Sequence, residues 1–304
     1  MKKSFLLFCL SCVVAVISFA IDVPANKLVD VCWLKENIAN KNIVLIMVDK
    51  KGKAYDKEHI PGTIKWMGKD ILQKLYKDVS VYLPTPLQFT RLAKKSGINK
   101  DSLVVFYGSG ANFKEEARAL EGLVIAEYYG IENSVMLDGG LAAWKKQGNI
   151  VTKKVQKPKK GNFEIKKFND VIATLLDVDA AVELKNGAII DARPAKYYTG
   201  KDNDKRLKKH GKIDGAISLQ TQSLYKVVDG VAQLKEISEL KKIFQDAGVE
   251  LNKPIISYCN TGHLTSSVWY VAKYILGAKN VKNYKASMVE YSAMPQRKVI
   301  KGKI

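Results

Sequence analysis

Residues 254–266 read PIISYCNTGHLTS, and residues 103–113 read LVVFYGSGANF. In both stretches a short apolar run leads through a tyrosine into a turn that contains glycine, and helix-forming residues follow. This pattern predicts a strand, a loop and a helix. In the later stretch the loop opens with Cys259, so the thiol lies at a strand end and faces the start of a helix. Backbone N–H groups there favour an anion, which makes Cys259 a candidate nucleophilic thiolate.

The two stretches belong to a diverged internal repeat that spans most of the chain. An apolar run that ends in an acid occurs at residues 43–49 and again at residues 187–191, so Asp49 is expected to correspond to Asp191. Each half alternates short apolar strands with amphipathic helices. The predicted fold is therefore α/β, with two tandem domains that each have a mostly parallel central sheet flanked by helices.

Composition further divides the chain into four segments. The chain starts with a short basic segment, continues with a largely apolar stretch up to Phe19 and then has small residues before Ala20. This order is typical of a secretory signal peptide that is cleaved after Ala20. Lysines with a proline and a glycine between the halves indicate an exposed linker. We predict a signal peptide at 1–20, a first domain at 21–150, a basic linker at 151–168 and a second domain at 169–304. The expected location is the periplasm or the exterior; an uncleaved anchor is the weaker alternative.

Two cysteines remain after removal of the signal peptide, Cys32 and Cys259. Two cysteines in an exported chain can form a disulfide, but these two lie in different halves, which disfavours a bond between them. Cys32 is predicted instead to be a small buried apolar residue. His59, His210 and His263 are dispersed and form no recognisable metal site. His59 is expected to satisfy a turn and His210 to lie at the surface. No cofactor is expected, since no phosphate loop or dinucleotide fingerprint occurs.

The formal net charge is +20. The lysines are scattered along the chain, and no motif of basic and aromatic residues accompanies them. The charge therefore favours a lysine-rich solvated surface over a nucleic-acid partner. Apart from the signal peptide, no stretch predicts a membrane partner. A positive field would attract small sulfur anions.

Several of these motifs together resemble the rhodanese family, specifically the tandem two-domain thiosulfate and 3-mercaptopyruvate sulfurtransferases. The resemblance is carried by residues 59–62 and 137–144 in the first half and by residues 191–193, the Cys259 loop and residues 284–291 in the second. In such tandem members only the second domain holds the catalytic cysteine. This chain agrees, because Gly108 follows Tyr107 where Cys259 follows Tyr258.

The resemblance implies that Cys259 takes a sulfane sulfur from a small donor as a persulfide and passes it to a thiol or cyanide, by covalent catalysis in two steps. A protein thiol is a second candidate acceptor, and a monomer is expected. The N–H groups of an active-site loop would cradle the persulfide, and Thr265 or Ser266 would cap the following helix or donate a hydroxyl. The loop residues are Asn260, Thr261, Gly262, His263, Leu264 and Thr265, with Ser266 as structural support.

Departures from the family pattern bear on the substrate. Relatives that prefer thiosulfate carry cations directly after the cysteine, where this chain has neutral Asn260 and Thr261, so a persulfide or polysulfide is expected to be the better donor. Candidate substrate contacts lie in the segment after the strand that ends at Asp191. They are Arg193, Lys196, Tyr197 and Arg206, although Arg193 and Asp191 are expected to act mainly as a structural pair. His263 is either a group that lowers the thiolate pKa or contacts an acceptor, or a polar residue at the rim.

Other functions stay open at this point. Cys259 can belong to a persulfide carrier without turnover that acts on a protein partner, or to a thiol redox sensor. A phosphatase is disfavoured, because no arginine follows Cys259 to grip phosphate. The first-domain loop after Tyr107 has no thiol, and its spacing predicts a longer loop that packs against the second domain and walls one side of the site.

Overall fold

The computed structural model describes residues 21, 23–72, 83–202 and 204–303. The predicted signal peptide at 1–20 lies outside these residues. No helix among the described ranges is long and apolar enough to span a membrane.

The first half forms a sheet of five parallel strands with helices on both faces. Its strand order is β1-β5-β4-β2-β3. The elements in chain order are β1 Leu28–Val29, α1 Val31–Asn37, β2 Ile43–Asp49, α2 Lys53–Lys57, β3 Ile64–Met67, α3 Gly68–Ile71, α4 Pro86–Lys95, β4 Leu103–Tyr107, α5 Phe113–Tyr128, β5 Ser134–Leu137 and α6 Gly140–Lys146. Every residue of β4 is buried, as expected for a parallel strand that is covered on both faces.

The second half repeats this plan with four parallel strands in the order β12-β11-β6-β8. Its elements are α7 Leu175–Leu184, β6 Ala188–Asp191, α8 Ala195–Tyr198, β7 Lys212–Ile213, β8 Ile217–Ser218, a 3₁₀ helix Thr221–Leu224, β9 Tyr225–Val228, β10 Val231–Leu234, α9 Ile237–Asp246, β11 Ile255–Tyr258, α10 Thr265–Tyr270, a π-helical continuation Val271–Ile275, β12 Val281–Asn283, α11 Ser287–Tyr291 and β13 Val299–Ile300. The predicted α/β class and tandem organisation are confirmed.

The strand pairings show which residues of the two halves correspond to each other. Tyr258 of β11 lies opposite Asp191 of β6, whereas Tyr107 of β4 lies opposite Met47 of β2. The expected match of Asp191 with Asp49 is therefore wrong by two positions. Asp49 instead closes the turn into α2, where its Oδ2 accepts from Ala54 N at 2.6 Å.

The predicted linker at 151–168 has no helix, and its lysines are exposed. Parts of it nevertheless pack on the first domain: Thr152 and His59 exchange backbone hydrogen bonds at 2.9 Å, and buried Phe163 donates its N–H to Ile98 O at 3.1 Å. Both ring nitrogens of His59 reach backbone oxygens, those of Tyr55 and Lys154. His59 thus satisfies a turn as expected.

Helices α5 and α10 bring the two halves together. Leu120 and Leu123 of α5 share one buried cluster with Val268 and Trp269 of α10. The β9–β10 hairpin of the second half also reaches the first, where Ala232 N donates to Gly110 O at 2.8 Å. The domains therefore meet through a continuous apolar core, and the active-site side of the second domain faces the first.

Cys32 is exposed, contrary to the predicted buried position. Helix α1 buries Val31 and Leu34, three residues apart, so the intervening Cys32 lies on the outer face of the helix. Both Cys32 and Cys259 are free thiols. His210 is exposed, as expected.

Candidate active site

Cys259 lies at the C-terminal end of β11 and is 1% exposed. The six-residue loop from Cys259 to Leu264 separates it from α10, so the predicted strand, loop and helix are all present. The N–H of Gly262 donates to Cys259 Sγ at 3.1 Å. The loop therefore turns a backbone donor onto the sulfur, an arrangement that stabilises a thiolate or a persulfide anion.

Gly262 is required by this turn. Its φ is +82°, and a Cβ at this position would lie 2.0 Å from the carbonyl oxygen of Lys285. Only glycine combines the left-handed conformation with so close an approach of two backbones.

Ser287 binds the backbone of Cys259. Its hydroxyl accepts from Cys259 N at 3.1 Å and donates to Tyr284 O at 2.8 Å. Ser287 has a φ of +54°, an uncommon conformation for a residue other than glycine. Strained residues often cluster at functional sites, and no motif in the sequence predicted this one.

A buried ionic network supports the loop from below. Asp191 binds Arg193 through two hydrogen bonds, 2.8 Å to Nε and 2.6 Å to Nη2, and accepts from the Tyr258 hydroxyl at 2.8 Å. Arg193 Nη1 then donates to Asn260 Oδ1 at 3.2 Å. Burial, followed by the neighbouring Asp191 charge, raises the pKa of Tyr258 well above its ordinary value, so the phenol stays a donor. Arg193 is only 1% exposed, and its hydrogen bonds are made within this network. This agrees with a mainly structural role for Asp191 and Arg193.

The network continues towards the surface. Asn260 Nδ2 donates to Asp204 Oδ2 at 3.0 Å, and Asp204 pairs with Arg206, whose side chain is 51% exposed. The hydrogen bond to Asp204 and the charges of Asp204 and Cys259 raise the pKa of Arg206 above its ordinary value. Arg206 therefore forms the exposed end of the network that supports the Cys259 loop.

The other candidate contacts are at the surface of α8. Lys196 Nζ lies 2.5 Å from Asp202 and 5.1 Å from the Tyr197 ring centre. Lys196 is therefore engaged with Asp202, and Tyr197 lies beside it.

Thr265 and Ser266 do not cap α10, so the first of the two roles expected for them is wrong. Both are fully buried, and α10 begins at Thr265 after Leu264 without a side-chain cap. Thr265 Oγ1 donates to Ser257 Oγ at 2.6 Å, and Ser266 Oγ accepts from Asn283 Nδ2 at 3.3 Å. Because β11 and α10 lie side by side, these hydroxyls fasten the helix to the sheet.

Cations of both domains act on the His263 ring. Its Nε2 is buried and has no hydrogen-bond partner. Burial, with the charges of Arg118, Lys285 and Lys50, holds the pKa of His263 well below its ordinary value. The imidazole is therefore neutral near pH 7 and cannot supply the positive charge that would lower the pKa of the thiol.

The corresponding loop of the first domain holds a carboxyl group instead of a thiol. Gly108 occupies the position of Cys259, and Glu116 of α5, 1% exposed, accepts from Gly110 N. Burial, followed by the nearby charge of Asp138, raises the pKa of Glu116 well above its ordinary value. The loop spans five residues, Gly108 to Asn112, so it is shorter than the six-residue loop of Cys259, not longer as expected. The extra length lies in α5, which has 16 residues.

No group of three or more potential metal ligands occurs within the described residues.

Comparisons with known proteins agree with this architecture. The model of the rhodanese-like domain matches the chain twice, at residues 30–147 and 174–294. "Putative thiosulfate sulfurtransferase 1" of Mycobacterium bovis is 30% identical over 276 residues, which cover 88% of this chain and 95% of that protein. "Sulfur carrier protein TtuD" of Thermus thermophilus is 26% identical over 287 residues, which cover 90% of this chain and 96% of that protein.

Among solved structures, SseA from Escherichia coli, one of the 3-mercaptopyruvate sulfotransferases, superimposes with a TM-score of 0.75 at 26% identity. The match covers 86% of this chain and 98% of SseA. The chain therefore belongs to the rhodanese-like domain family and is a tandem rhodanese-type sulfurtransferase.

Proposed function

We propose that this protein moves a sulfane sulfur from a small donor to a thiol or cyanide through a persulfide on Cys259. The observation that carries the proposal is the Gly262 N–H bond to Cys259 Sγ, at the end of a parallel strand and within a loop held by buried groups. The similarity to proteins named as thiosulfate sulfurtransferases supports it.

The transfer has two balanced steps. In the first, the Cys259 thiolate attacks the sulfane sulfur of the donor, the sulfur–sulfur bond of thiosulfate breaks, and sulfite leaves with the electron pair. In the second, an acceptor thiolate attacks the outer sulfur of the persulfide, and the Cys259 thiolate leaves. The Gly262 donor is positioned to stabilise negative charge on Cys259 Sγ, the attacking atom of the first step and the leaving atom of the second.

Steady-state kinetics with thiosulfate and cyanide test this function. Parallel lines in double-reciprocal plots, and loss of turnover in Cys259→Ser with an unchanged circular dichroism spectrum, are expected. Undiminished transfer by folded Cys259→Ser would contradict the assignment.

A persulfide carrier that serves a protein acceptor is the second candidate, favoured by the similarity to a protein named as a sulfur carrier and by the burial of Cys259. The two are distinguished by turnover: a carrier loads one sulfur atom but releases it slowly to small thiols. Fast turnover with simple acceptors removes this alternative.

Export is part of the proposal. Residues 1–20 have the composition of a signal peptide, so we propose that the protein acts in the periplasm or outside the cell. Mass determination of the protein isolated from a bacterium that expresses the full chain should give a start at Ile21; a start at Met1 in the cytoplasm contradicts it.

A further inference from the structure

A cluster of buried charges lies where the two domains meet, beside the Cys259 loop. Lys285, 2% exposed, pairs through Nζ with Glu121 of α5, which is fully buried. Arg118 lies one turn earlier on α5, with Nη1 3.7 Å from Glu121 Oε2. Lys285 also touches the loop, because a Cβ at Gly262 would lie 3.0 Å from Lys285 Cδ. The ionic cluster and the turn that holds the sulfur are therefore in direct contact.

Unpartnered polar atoms concentrate at this place. Across residues 21, 23–72, 83–202 and 204–303, four buried side-chain nitrogen or oxygen atoms have no hydrogen-bond partner. Three of them belong to this junction, namely Arg118 Nε, Glu121 Oε2 and His263 Nε2. Arg118 is only 7% exposed. Glu121 Oε2 has a charge partner, since Arg118 Nη1 lies 3.7 Å from it. The two nitrogens have none. Because buried polar groups are almost always paired in folded proteins, these two nitrogens point to a ligand with acceptor atoms.

The charge of the junction indicates what kind of ligand this is. The charged groups that act most strongly on the His263 ring are all cations: Arg118, Lys285, Lys50 and Arg206. Glu121 is engaged by Lys285, and Asp204 by Arg206. Glu115, which also faces Arg118 and Lys50, is partly exposed. A buried guanidinium with a free N–H favours an oxyanion.

We propose that Arg118, a residue of the first domain, binds the anionic end of the sulfur donor while the donor's sulfane sulfur meets Cys259. The donor class is a small sulfur compound with an oxyanion group, such as thiosulfate, whose sulfonate oxygens accept from Arg118 Nε. His263 Nε2 serves as a second donor when it carries the ring proton. The inference rests on the proposed function and deepens it.

This arrangement accounts for the neutral loop. Asn260 and Thr261 bring no charge to the sulfur, and the cations are supplied instead across the domain junction. Thiosulfate is then a competent donor, in contrast to the expectation from the loop sequence alone. The domain without a thiol thereby has a direct part in substrate binding.

The test measures anion binding without turnover. In a Cys259→Ser background, thiosulfate and sulfite are titrated by calorimetry at constant ionic strength into the parent protein and into Arg118→Met. The matched control is Arg91→Met, since Arg91 is exposed on α4. Loss of a charge-assisted bond predicts affinity about tenfold or more weaker for Arg118→Met, and affinity unchanged within about twofold for Arg91→Met.

A second variant keeps the inference falsifiable if Arg118→Met does not fold. Lys50 is exposed and acts on the same ring, so Lys50→Met retains the fold and should weaken thiosulfate binding about two- to threefold through lost attraction. Folding is checked by urea unfolding. Unchanged affinity in folded Arg118→Met, or in Lys50→Met when the arginine variant is unfolded, overturns the inference.

Failure of the inference and failure of the proposed function give different results. With Cys259 intact, polysulfide loading is measured by intact mass. A persulfide on Cys259 together with normal thiosulfate binding by Arg118→Met rejects only the role of Arg118. No persulfide from any donor, together with weakened anion binding by Arg118→Met, rejects sulfur transfer but keeps the anion site.

Discussion

Gly262 offers the sharpest test of the geometry around Cys259. Its φ is +82°, and a Cβ would meet Lys285 O at 2.0 Å. Its N–H is also the donor to Cys259 Sγ at 3.1 Å. We predict that Gly262→Ala disables sulfur loading and leaves the domain folded but less stable.

The size of the effect follows from these two features. The left-handed conformation costs an alanine about 1–2 kcal/mol. The clash requires a displacement of about 1 Å before Cβ and oxygen reach a tolerated separation, and overpacking of this kind costs about 1–3 kcal/mol. The free energy of unfolding should therefore fall by about 2–5 kcal/mol. The same displacement breaks the bond to the sulfur, and the loss of one such donor slows reactions about 100-fold or more.

Gly248→Ala is the matched control. Gly248 has a φ of +74°, but no atom lies within 4 Å of its Cβ position, so its alanine variant carries the conformational cost alone. Unfolding in urea and the rate of sulfur loading, followed by intact mass, are measured for both variants. Loading at the wild-type rate in Gly262→Ala, or equal stability losses in the two variants, would refute the reasoning.

Two further predictions concern stability. Asp191→Asn leaves the buried Arg193 guanidinium without its charge partner, so urea unfolding should show a loss of about 3 kcal/mol or more; a loss below about 1 kcal/mol would contradict the supporting role of the pair. Burial raises the pKa of Asp138 from 3.8 to about 6. The folded protein therefore loses stability as the pH rises through this range, and Asp138→Asn should remove up to about 3 kcal/mol of that loss; superimposable pH–stability curves for the two proteins would rule this out.

Local chain geometry was largely predictable from the sequence. The apolar runs before Tyr107 and Tyr258 become central parallel strands, and the turn at Gly262 brings Cys259 to the strand end. The two tyrosines even repeat one contact, since each hydroxyl accepts a backbone N–H at 3.2 Å, from Ile60 and Ile213 respectively. Such features depend on residues close in sequence or on the alternation of apolar runs.

Positions set by packing were harder to predict. Cys32 was misplaced because one cysteine does not reveal which face of a short helix is covered. Asp49 was mismatched because strand register depends on pairing across the sheet. The loop after Tyr107 was predicted too long because spacing alone does not separate loop from helix, and the extra residues lie in α5.

Groups contributed by the other domain gave no signal in the sequence. Arg118 and Glu121 are ordinary residues of a helix until α5 is packed against α10, and Lys285 reaches them from far along the chain. The neutral residues after Cys259 indicated only a loop without cations. Of the four cations that act on the His263 ring, Arg206 is a predicted candidate contact, whereas Arg118, Lys285 and Lys50 are not.

The central claim, a persulfide on Cys259, is tested most directly by intact-mass spectrometry of the chain without residues 1–20. The protein and Cys259→Ser are incubated with thiosulfate and separately with polysulfide, then treated with cyanide. We predict a gain of one sulfur atom that cyanide removes and that is absent from Cys259→Ser. An equal gain in the serine variant, or no gain from either donor, would contradict persulfide transfer through Cys259.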